Sequence, residues 1–579
     1  MAKLTSDNSG KEVYLVTSAL PYVNGVKHIG NVAGSLLPAD VFSRFLRLTG
    51  RDVLFVCGTD DHGAACELAA IKEGLSPSSY SEKYHSLQKK IYEGWNLSFD
   101  IFSRTSNQEN HRTTQEIFKK IHDNGLIEQK ETRQAYCLAD KRFLQDRFIE
   151  GQCPHCGFDG ARGDQCEKCG RVLDATELKK PRCNLCGKGE IEFRQSRHLF
   201  FQLQKLSPQL KEWISKQHHW PANARNFALQ WIEGGLKERA ITRDLQWGVK
   251  VPLDGFEDKV FYVWFDAPIG YISFTKEWAA RNGKDWERYW RNKNAKIVHV
   301  LGKDNVAFHT VIWPGMLLAS GYAELPYEVK SLEFLNLEGR KFSTSRNWGI
   351  TSDEAIGWFP ADYWRYYLLS ILPEQSDADF TFQEFARAVN SDLADTFGNL
   401  AHRCLTFINS NYGGKVPQPV TEGELSEGDK QFLEEISSKI DRERELFESY
   451  RWQEALRCGF DIARAANKYF NDGAPWKNVK GFEEEKKRAA TTVFLTANCL
   501  RSLGIVLFPF IPSSCEKLFS YLDLGKVESH KWDEAKKLAL PAGHQIAPAE
   551  AIAPLFAKID AKQLEKVKAA VGARRGTGK

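Results

Sequence analysis

No apolar stretch in this chain reaches the length of a membrane span, which takes ~20 consecutive apolar residues. The first residues, Met1 to Lys11, are polar and lack the apolar core of a secretory signal. Both absences argue against a membrane or a secretory route and point to the cytosol. A charge excess of one sign is missing too. Lys plus Arg number 79 against 75 Asp plus Glu, a balance of only +4. The whole-molecule field therefore calls for no polyanionic partner, and a nucleic acid would have to be met by locally grouped bases. One such group is Lys562, Lys566, Lys568, Arg574, Arg575 and Lys579, which reads first as a solvated, frayed end. No internal repeat is present, which excludes solenoid and propeller architectures.

What is present is length and cysteine. The 579 residues exceed a single core and imply several domains. Six of the 13 cysteines fall in three Cys-x-x-Cys pairs within a short segment, which in a reducing compartment reads as metal ligation. Cys153, Cys156, Cys166 and Cys169 have the spacing of a tetrahedral structural zinc knuckle. Cys183 and Cys186 form half of a further site. Cys137 and Asp140 repeat the two-residue spacing upstream, so a second zinc is expected on Cys137, Asp140, Cys183 and Cys186, nested around the first. Water or His198 are the substitutes for Asp140.

The outer parts of the chain carry a parallel-sheet texture. Val13 to Thr17 and Val53 to Cys57 are buried-strand runs separated by a helical pattern with Pro38 at a break. Each strand ends in a polar loop, the place where a βαβ unit binds its ligand. The texture resumes at Val260–Phe265 and Ile297–Leu301, the latter running into Gly302-Lys303-Asp304-Asn305. Between about 126 and 240 no regular alternation is evident, as for an insertion splitting the sheet. Helical periodicity follows Lys341, with bundle helices expected over 397–408, 428–450, 452–470 and 482–508. The fold class is thus α/β: a split Rossmann-type parallel sheet with a zinc-binding insertion, then a C-terminal α-helical bundle. The divisions expected are 1–125 and 241–334 for the two half-sheets, 126–240 for the insertion, and 335–395 for a connecting region. A helical domain over 396–548 and a basic tail over 549–579 complete the chain.

Two short motifs carry the chemistry. His28-Ile29-Gly30-Asn31 follows the first strand, and Lys341-Phe342-Ser343-Thr344-Ser345 lies in a basic loop. His28 and Asn31 share one face at the start of a helix, where free N–H groups already favour anions. Gly30 lets a nucleotide approach the backbone closely. Arg340, Lys341 and Arg346 could meet a triphosphate from the other side. Taken singly, each motif reads first as the plainer thing, a capping Asn with an incidental His, or a basic surface loop.

Together, in this order, they resemble the His-Ile-Gly-His and Lys-Met-Ser-Lys-Ser signatures of class I aminoacyl-tRNA synthetases. Val263-Trp264-Phe265-Asp266-Ala267-Pro268-Ile269-Gly270-Tyr271, with Gly302-Lys303-Asp304 and Phe308-His309, resembles the methionyl branch from about residue 13 to about 550. The resemblance implies ATP-dependent ligation of methionine to tRNA(Met), initiator and elongator, through an adenylate, with Mg2+ accompanying ATP and Zn2+ in the knuckles. It implies His28, Asn31 and Lys341 as catalytic residues, and ATP contacts from these with Gly30, Gly302, Asp304, Ser343 and Thr344. The methionine pocket it implies is Leu20, Tyr22, Asp60, Trp264, Ala267, Pro268, Tyr271, Asn305, His309 and Trp313. Asp60 would hold the ammonium, while aromatic walls suit a polarisable thioether. Asn399, Arg403 and Trp476 would read the anticodon. Asn31 and Thr344 replace a His and a Lys of the signatures, and Asn305 an apolar residue. A synthetase for another amino acid would share both signatures, but the branched-chain enzymes need a larger insertion and the cysteine enzyme a metal at its pocket. A non-catalytic zinc-ribbon RNA-binding protein would have no reason to keep the phosphate loops. A monomer is expected, and no β-barrel pattern follows the helical segment.

Overall fold

In the computed structural model, residues 11–573 are described apart from 145–147, 164, 165, 167, 170, 172 and 343–347. The core is a five-stranded, all-parallel sheet in the order Glu328–Leu332, Lys296–Gly302, Val13–Ser18, Asp52–Thr59, Ile101–Arg104. Val13–Ser18 is buried along its whole length, as its β-branched and apolar run requires. It is the seam between the two halves. Tyr14 pairs with Lys296 and Ser18 with Val300 on one side, while Val13 pairs with Asp52 on the other.

Two expectations about the middle of the chain are corrected. The segment read as irregular contains a long antiparallel ribbon, Ile127–Cys137 against Ile191–Phe201, with a smaller sheet of Ile149–Gln152, Asp159–Arg162 and Lys179–Cys183. Much of the ribbon is solvated on both faces, so no hydrophobic alternation marks it. The run Val260–Phe265 is a strand only over Val260–Phe261, pairs antiparallel with Thr242–Arg243, and turns into the helix Val263–Asp266. Phe261 and Phe265, four residues apart, thereby stack at 4.9 Å, with Phe118 4.9 Å from Phe261. A short apolar run fits either periodicity, and here tertiary packing chose.

The C-terminal part is helical: Asn399–Tyr412, Glu427–Glu448, Trp452–Gly473 and Glu483–Val506 lie close to the expected spans. Glu483–Val506 is long and apolar enough to cross a bilayer, contrary to expectation, but its apolar window is wholly buried inside the protein. Three of its buried polar side chains bond the chain around 534–540. Asn498 bonds the Leu540 backbone, Arg501 donates to the Glu534 carbonyl at 2.8 Å, and Ser502 donates to that of Ala535 at 2.6 Å. The tail is not frayed over its described part. Helix Ala561–Ala573 buries Val567 and Val571, and Asn390 clamps the preceding Ile559 backbone at 2.8 and 2.9 Å.

One buried ion pair joins these parts. The Asp40 carboxylate accepts from Arg365 at 2.7 Å and Arg44 at 3.0 Å, and from the Ser98 amide and hydroxyl. Arg365, fully buried, also donates to the carbonyls of Phe510, Pro509 and Trp95. Although burial alone would raise the Asp40 pKa, Arg44, Arg365 and Ser98 outweigh it and hold it at about 2, below the ordinary 3.8. A folded pKa below the unfolded one gives stability that is complete above the unfolded value and lost as pH falls from about 4 towards 2, on the order of 2 kcal/mol. Asp40→Asn should cost about 3 kcal/mol or more at neutral pH. Calorimetric Tm deficits measured from pH 7 downwards should shrink as wild type loses the same contribution; a constant deficit would contradict the assignment.

Candidate active site and metal centres

Three loops leave the same, carboxyl edge of the sheet: Ala19–Tyr22, Asp60–Gly63 and Lys303–Asn305. Between them lies a cavity of about 410 Å³. At one end Leu20, Trp264, Ala267, Pro268, Tyr271, Asn305 and His309 line it, with Tyr22 and Asp60 beside them. At the other are His28, Gly30, Asn31, Gly302, Asp304, Lys341 and Phe342. Sequence reasoning missed Lys27, Phe308, Glu333 and Phe342, which also face it. Trp313 is not among the lining residues; it is buried behind them, its indole donating to His299. Ser343 and Thr344 lie outside the described residues.

Asp60 is buried at the cavity wall, one carboxylate oxygen without a partner. Burial, then the neighbouring Asp266 and Asp61 carboxylates, push its pKa well above the usual range. Such a group is stabilised by an incoming cation. Asp266 itself is held by His62 at 2.7 Å, and the Asp61 carbonyl accepts from the Trp247 indole.

His28 caps the helix that starts at Ile29, its backbone extended and its ring half-buried. The loop is pinned from the far side of the second motif: the Ile29 amide donates to the Ile350 carbonyl at 2.9 Å, and Ser352 to that of Lys27 at 2.8 Å. The ring stacks on Phe342, centroids 4.4 Å apart and planes 12° from parallel. A Cβ at Gly30 would come within 2.9 Å of the imidazole, and one at Gly349 within 3.0 Å of the Phe342 ring. Both glycines therefore leave room for the stack. Burial, reinforced by Lys27, lowers the His28 pKa to about 4. At neutral pH His28 is uncharged and donates from one nitrogen only. Lys341, exposed on the strand Arg340–Lys341, keeps its ammonium 5.7 Å from the Phe334 ring, whereas Lys303 is tied to Glu333 and Asp377. The Asn305 side-chain amide donates to Asp304 at 3.3 Å.

At the tip of the insertion two clusters have converged, each with its ligand atoms within 4.8 Å of one another: Cys153, Cys156, Cys166, Cys169 and Cys137, Asp140, Cys183, Cys186. Sulfur pairs stand 3.6 to 3.9 Å apart. A tetrahedron with Zn–S bonds of 2.3 Å has edges of about 3.8 Å, so thiolates placed this way fit that ion. Asp140 turns a carboxylate oxygen to Cys183 at 2.9 Å. His198 is engaged elsewhere, with Asp244 and Thr242.

In the helical part, Arg403 lies 5.3 Å from both the Phe470 and Trp476 rings and donates to Asn471 at 2.9 Å. Trp476 is exposed, on the short helix Pro475–Asn478 rather than in a loop. Asn399 begins the helix that carries Arg403, bonded to Asp395.

Comparison with known proteins matches residues 14–405 to a family model described as tRNA synthetases class I (M), and 416–576 to the anticodon binding domain of methionyl tRNA ligase. The methionine–tRNA ligase of Pyrococcus furiosus is 46% identical over 552 residues, 93% of this chain and 74% of its own length. Methionine–tRNA ligase 1 of Acaryochloris marina is 43% identical over 565 residues, 96% of this chain and 99% of its own. The crystal structure of Mycobacterium tuberculosis methionyl-tRNA synthetase bound by methionyl-adenylate superposes with a TM-score of 0.78 at 26% identity, covering 94% of this chain and all of that one. With the phosphate loops, pocket and thiolate clusters on one scaffold, this chain belongs to the methionyl-tRNA synthetase family of class I aminoacyl-tRNA synthetases.

Proposed function

We propose that the cavity binds methionine and ATP side by side and forms methionyl-adenylate, which is then used to charge initiator and elongator tRNA(Met). The observation that carries this reading is the continuity of one cavity. A buried carboxylate with one unpartnered oxygen and an aromatic-lined apolar end open directly onto the His28–Asn31 helix start and Lys341. Asp60 takes the ammonium; Leu20, Tyr22, Trp264, Ala267, Pro268, Tyr271, Asn305 and His309 surround the side chain. Asp304 and Gly302 sit where a ribose would lie.

The methionine carboxylate attacks the α-phosphorus, the bond to pyrophosphate breaks, and magnesium pyrophosphate leaves with the electron pair. The protein's part is positioning and charge stabilisation. His28 and Asn31 donate from one side, while Lys341 approaches from the other with Ser343 and Thr344. Phe342, stacked on the His28 ring, ties that loop to the His28 side of the cavity. The terminal adenosine hydroxyl of the tRNA next attacks the acyl carbon, and AMP departs. Asn399, Arg403 and Trp476 contact the anticodon, the indole by stacking and the other two by hydrogen bonding. Zn2+ in the two thiolate clusters holds the tip of the insertion in shape and takes no part in the chemistry. The enzyme acts as a monomer.

His28→Ala should lower kcat for ATP–pyrophosphate exchange by about 10²-fold or more, with a much smaller rise in the KM for methionine. An unchanged kcat removes His28 from the transition state. The free protein's His28 ring should titrate near pH 4 by NMR, so it contributes no limb to kcat/KM at neutral pH; a titration above about pH 6 would contradict its buried, stacked state. Metal analysis should return two zinc ions per chain, and Cys183→Ala one. A single zinc in wild type rejects the second site.

A further inference from the structure

Three carboxylates line the cavity, Asp60, Asp304 and Glu333, against two lysines and no arginine. Glu333 is matched by Lys303 at 2.7 Å, which is itself shared with Asp377. Of the two wall lysines, Lys341 belongs to the second motif and Lys27 immediately precedes His28 in the first. The proposed reaction brings a methionine carboxylate and a polyphosphate together in this space. Two signature positions that would supply cations there hold Asn31 and Thr344 instead. Among the described residues, Lys27 is the lysine on the His28 side of the wall.

The loop that carries Lys27 is clamped at both ends. At its start the Asp60 amide donates to the Pro21 carbonyl at 2.9 Å, and the Val23 amide to the Asp60 carbonyl at 3.2 Å. At its end the Lys27 carbonyl accepts from the Ser352 amide at 2.8 Å, and the Ile29 amide donates to Ile350. Gln88 holds the middle, donating to the Tyr22 and Gly25 carbonyls. The half-buried Lys27 side chain folds back over this loop, its Nζ donating to Asn24 Oδ1 at 2.6 Å. The ammonium is thereby set between the Asp60 end of the loop and His28. Asn24 is neutral, and among the described residues no carboxylate lies within ion-pair distance of Nζ. An ammonium has three donors, so two remain for an anion entering the cavity. Burial, offset in part by Asp60, lowers the Lys27 pKa to about 8, which leaves it mostly protonated at neutral pH.

We propose that Lys27 is a further catalytic residue, its ammonium bonding the methionine carboxylate and the α-phosphoryl oxygens as the two are brought together. This rests on reading the cavity as the adenylation site. The attacking carboxylate and the α-phosphate are both anionic. Their repulsion opposes the new O–P bond, which forms as the bond to pyrophosphate breaks and its electron pair leaves with that group. An ammonium already in the wall offsets the repulsion, and it gives up no proton in the step. Hydrogen bonds from an ammonium to carboxylate or phosphoryl oxygens are of the strong, charge-assisted kind. Lys303, held by two carboxylates, would have to leave an ion pair to play this part. Lys27 has only a neutral amide to release. The charge lost at Asn31 is thus restored by the residue ahead of His28.

The test compares Lys27→Met, which keeps an unbranched side chain and removes the charge, with Lys27→Arg, which keeps the charge. In ATP–pyrophosphate exchange, Lys27→Met should lower kcat about 10²-fold while the KM for methionine rises less than about 5-fold, and Lys27→Arg should stay within about 10-fold of wild type. Calorimetry should place the Tm of Lys27→Met within about 2 °C of wild type, since the residue holds no ion pair in the free protein. A Lys27→Met enzyme with kcat within about 2-fold of wild type overturns the assignment. So does a Lys27→Arg enzyme as slow as Lys27→Met, because shape and not charge would then matter. A loss of kcat matched by a large fall in Tm gives Lys27 to the fold and not to the reaction. The two readings fail separately: wild type without methionine-dependent exchange removes the adenylation site and this assignment with it, whereas equal exchange by wild type and Lys27→Met removes Lys27 alone.

Discussion

The parallel pairing of Val13–Ser18 with Lys296–Gly302 is the constraint on which the site depends. The two strands are nearly three hundred residues apart in sequence, and their register alone decides that the loops after Ser18 and Gly302 leave the same edge. Displacing one strand would move Asp304 and Asn305 away from Leu20 and His28. The insertion must therefore return the chain to the sheet in register. Its antiparallel ribbon does so, because the paired strands Ile127–Cys137 and Ile191–Phe201 bring departure and return side by side. A further tie acts across the cavity. The Ile29–Ile350 and Lys27–Ser352 backbone bonds hold the segment beyond the second motif against the first. The His28–Phe342 stack is a consequence of that clamp.

Two buried aspartates show how the same residue type serves scaffold and site. Asp40 is surrounded by two guanidiniums and Ser98, and its pKa falls to about 2. Asp60 meets two further carboxylates and keeps an unpartnered oxygen, so its pKa rises. The first joins the sheet to the helical domain; the second faces the cavity. A raised pKa is insufficient by itself to mark a site. Glu443, between the helices Glu427–Glu448 and Trp452–Gly473, is just as buried and its pKa just as clearly raised. It does not line the cavity that Asp60 faces. Perturbation identifies a site when a cavity and convergent polar groups accompany it.

The parts of the site legible in the sequence are those whose chemistry is local. His28, Gly30 and Asn31 announce themselves by their spacing at a helix start, and the thiolate clusters by Cys-x-x-Cys. Even the pairing of Cys137 and Asp140 with Cys183 and Cys186 follows from matching two-residue gaps. What stayed hidden is set by tertiary choice. Val260–Phe265 has strand composition, yet the stack of Phe261 on Phe265 needs a helical turn. Trp313 has the right composition for a pocket wall, but its place behind His299 depends on how a helix is rotated. The tail reads as solvated because basic residues are grouped in it, although Val567 and Val571, one helical turn apart, are buried.

That rotation has a visible cause. The helix holding His309 and the helix begun by His28 both widen into a π turn at the cavity, Phe308–Ile312 and Val32–Leu36. In each, a proline comes two residues later, Pro314 and Pro38. Proline has no N–H for the carbonyl four residues back and its ring collides with that carbonyl, so an α-helical turn there is penalised. In each π turn the residue before the proline bonds five residues back, Trp313 to Phe308 and Leu37 to Val32. Such a turn also rotates the residues before it relative to the helical turns after it. Pro314 follows the turn that separates His309, which lines the cavity, from Trp313, which is buried behind it. Pro38 stands in the same place on the helix that brings Asn31 and Gly34 to the cavity.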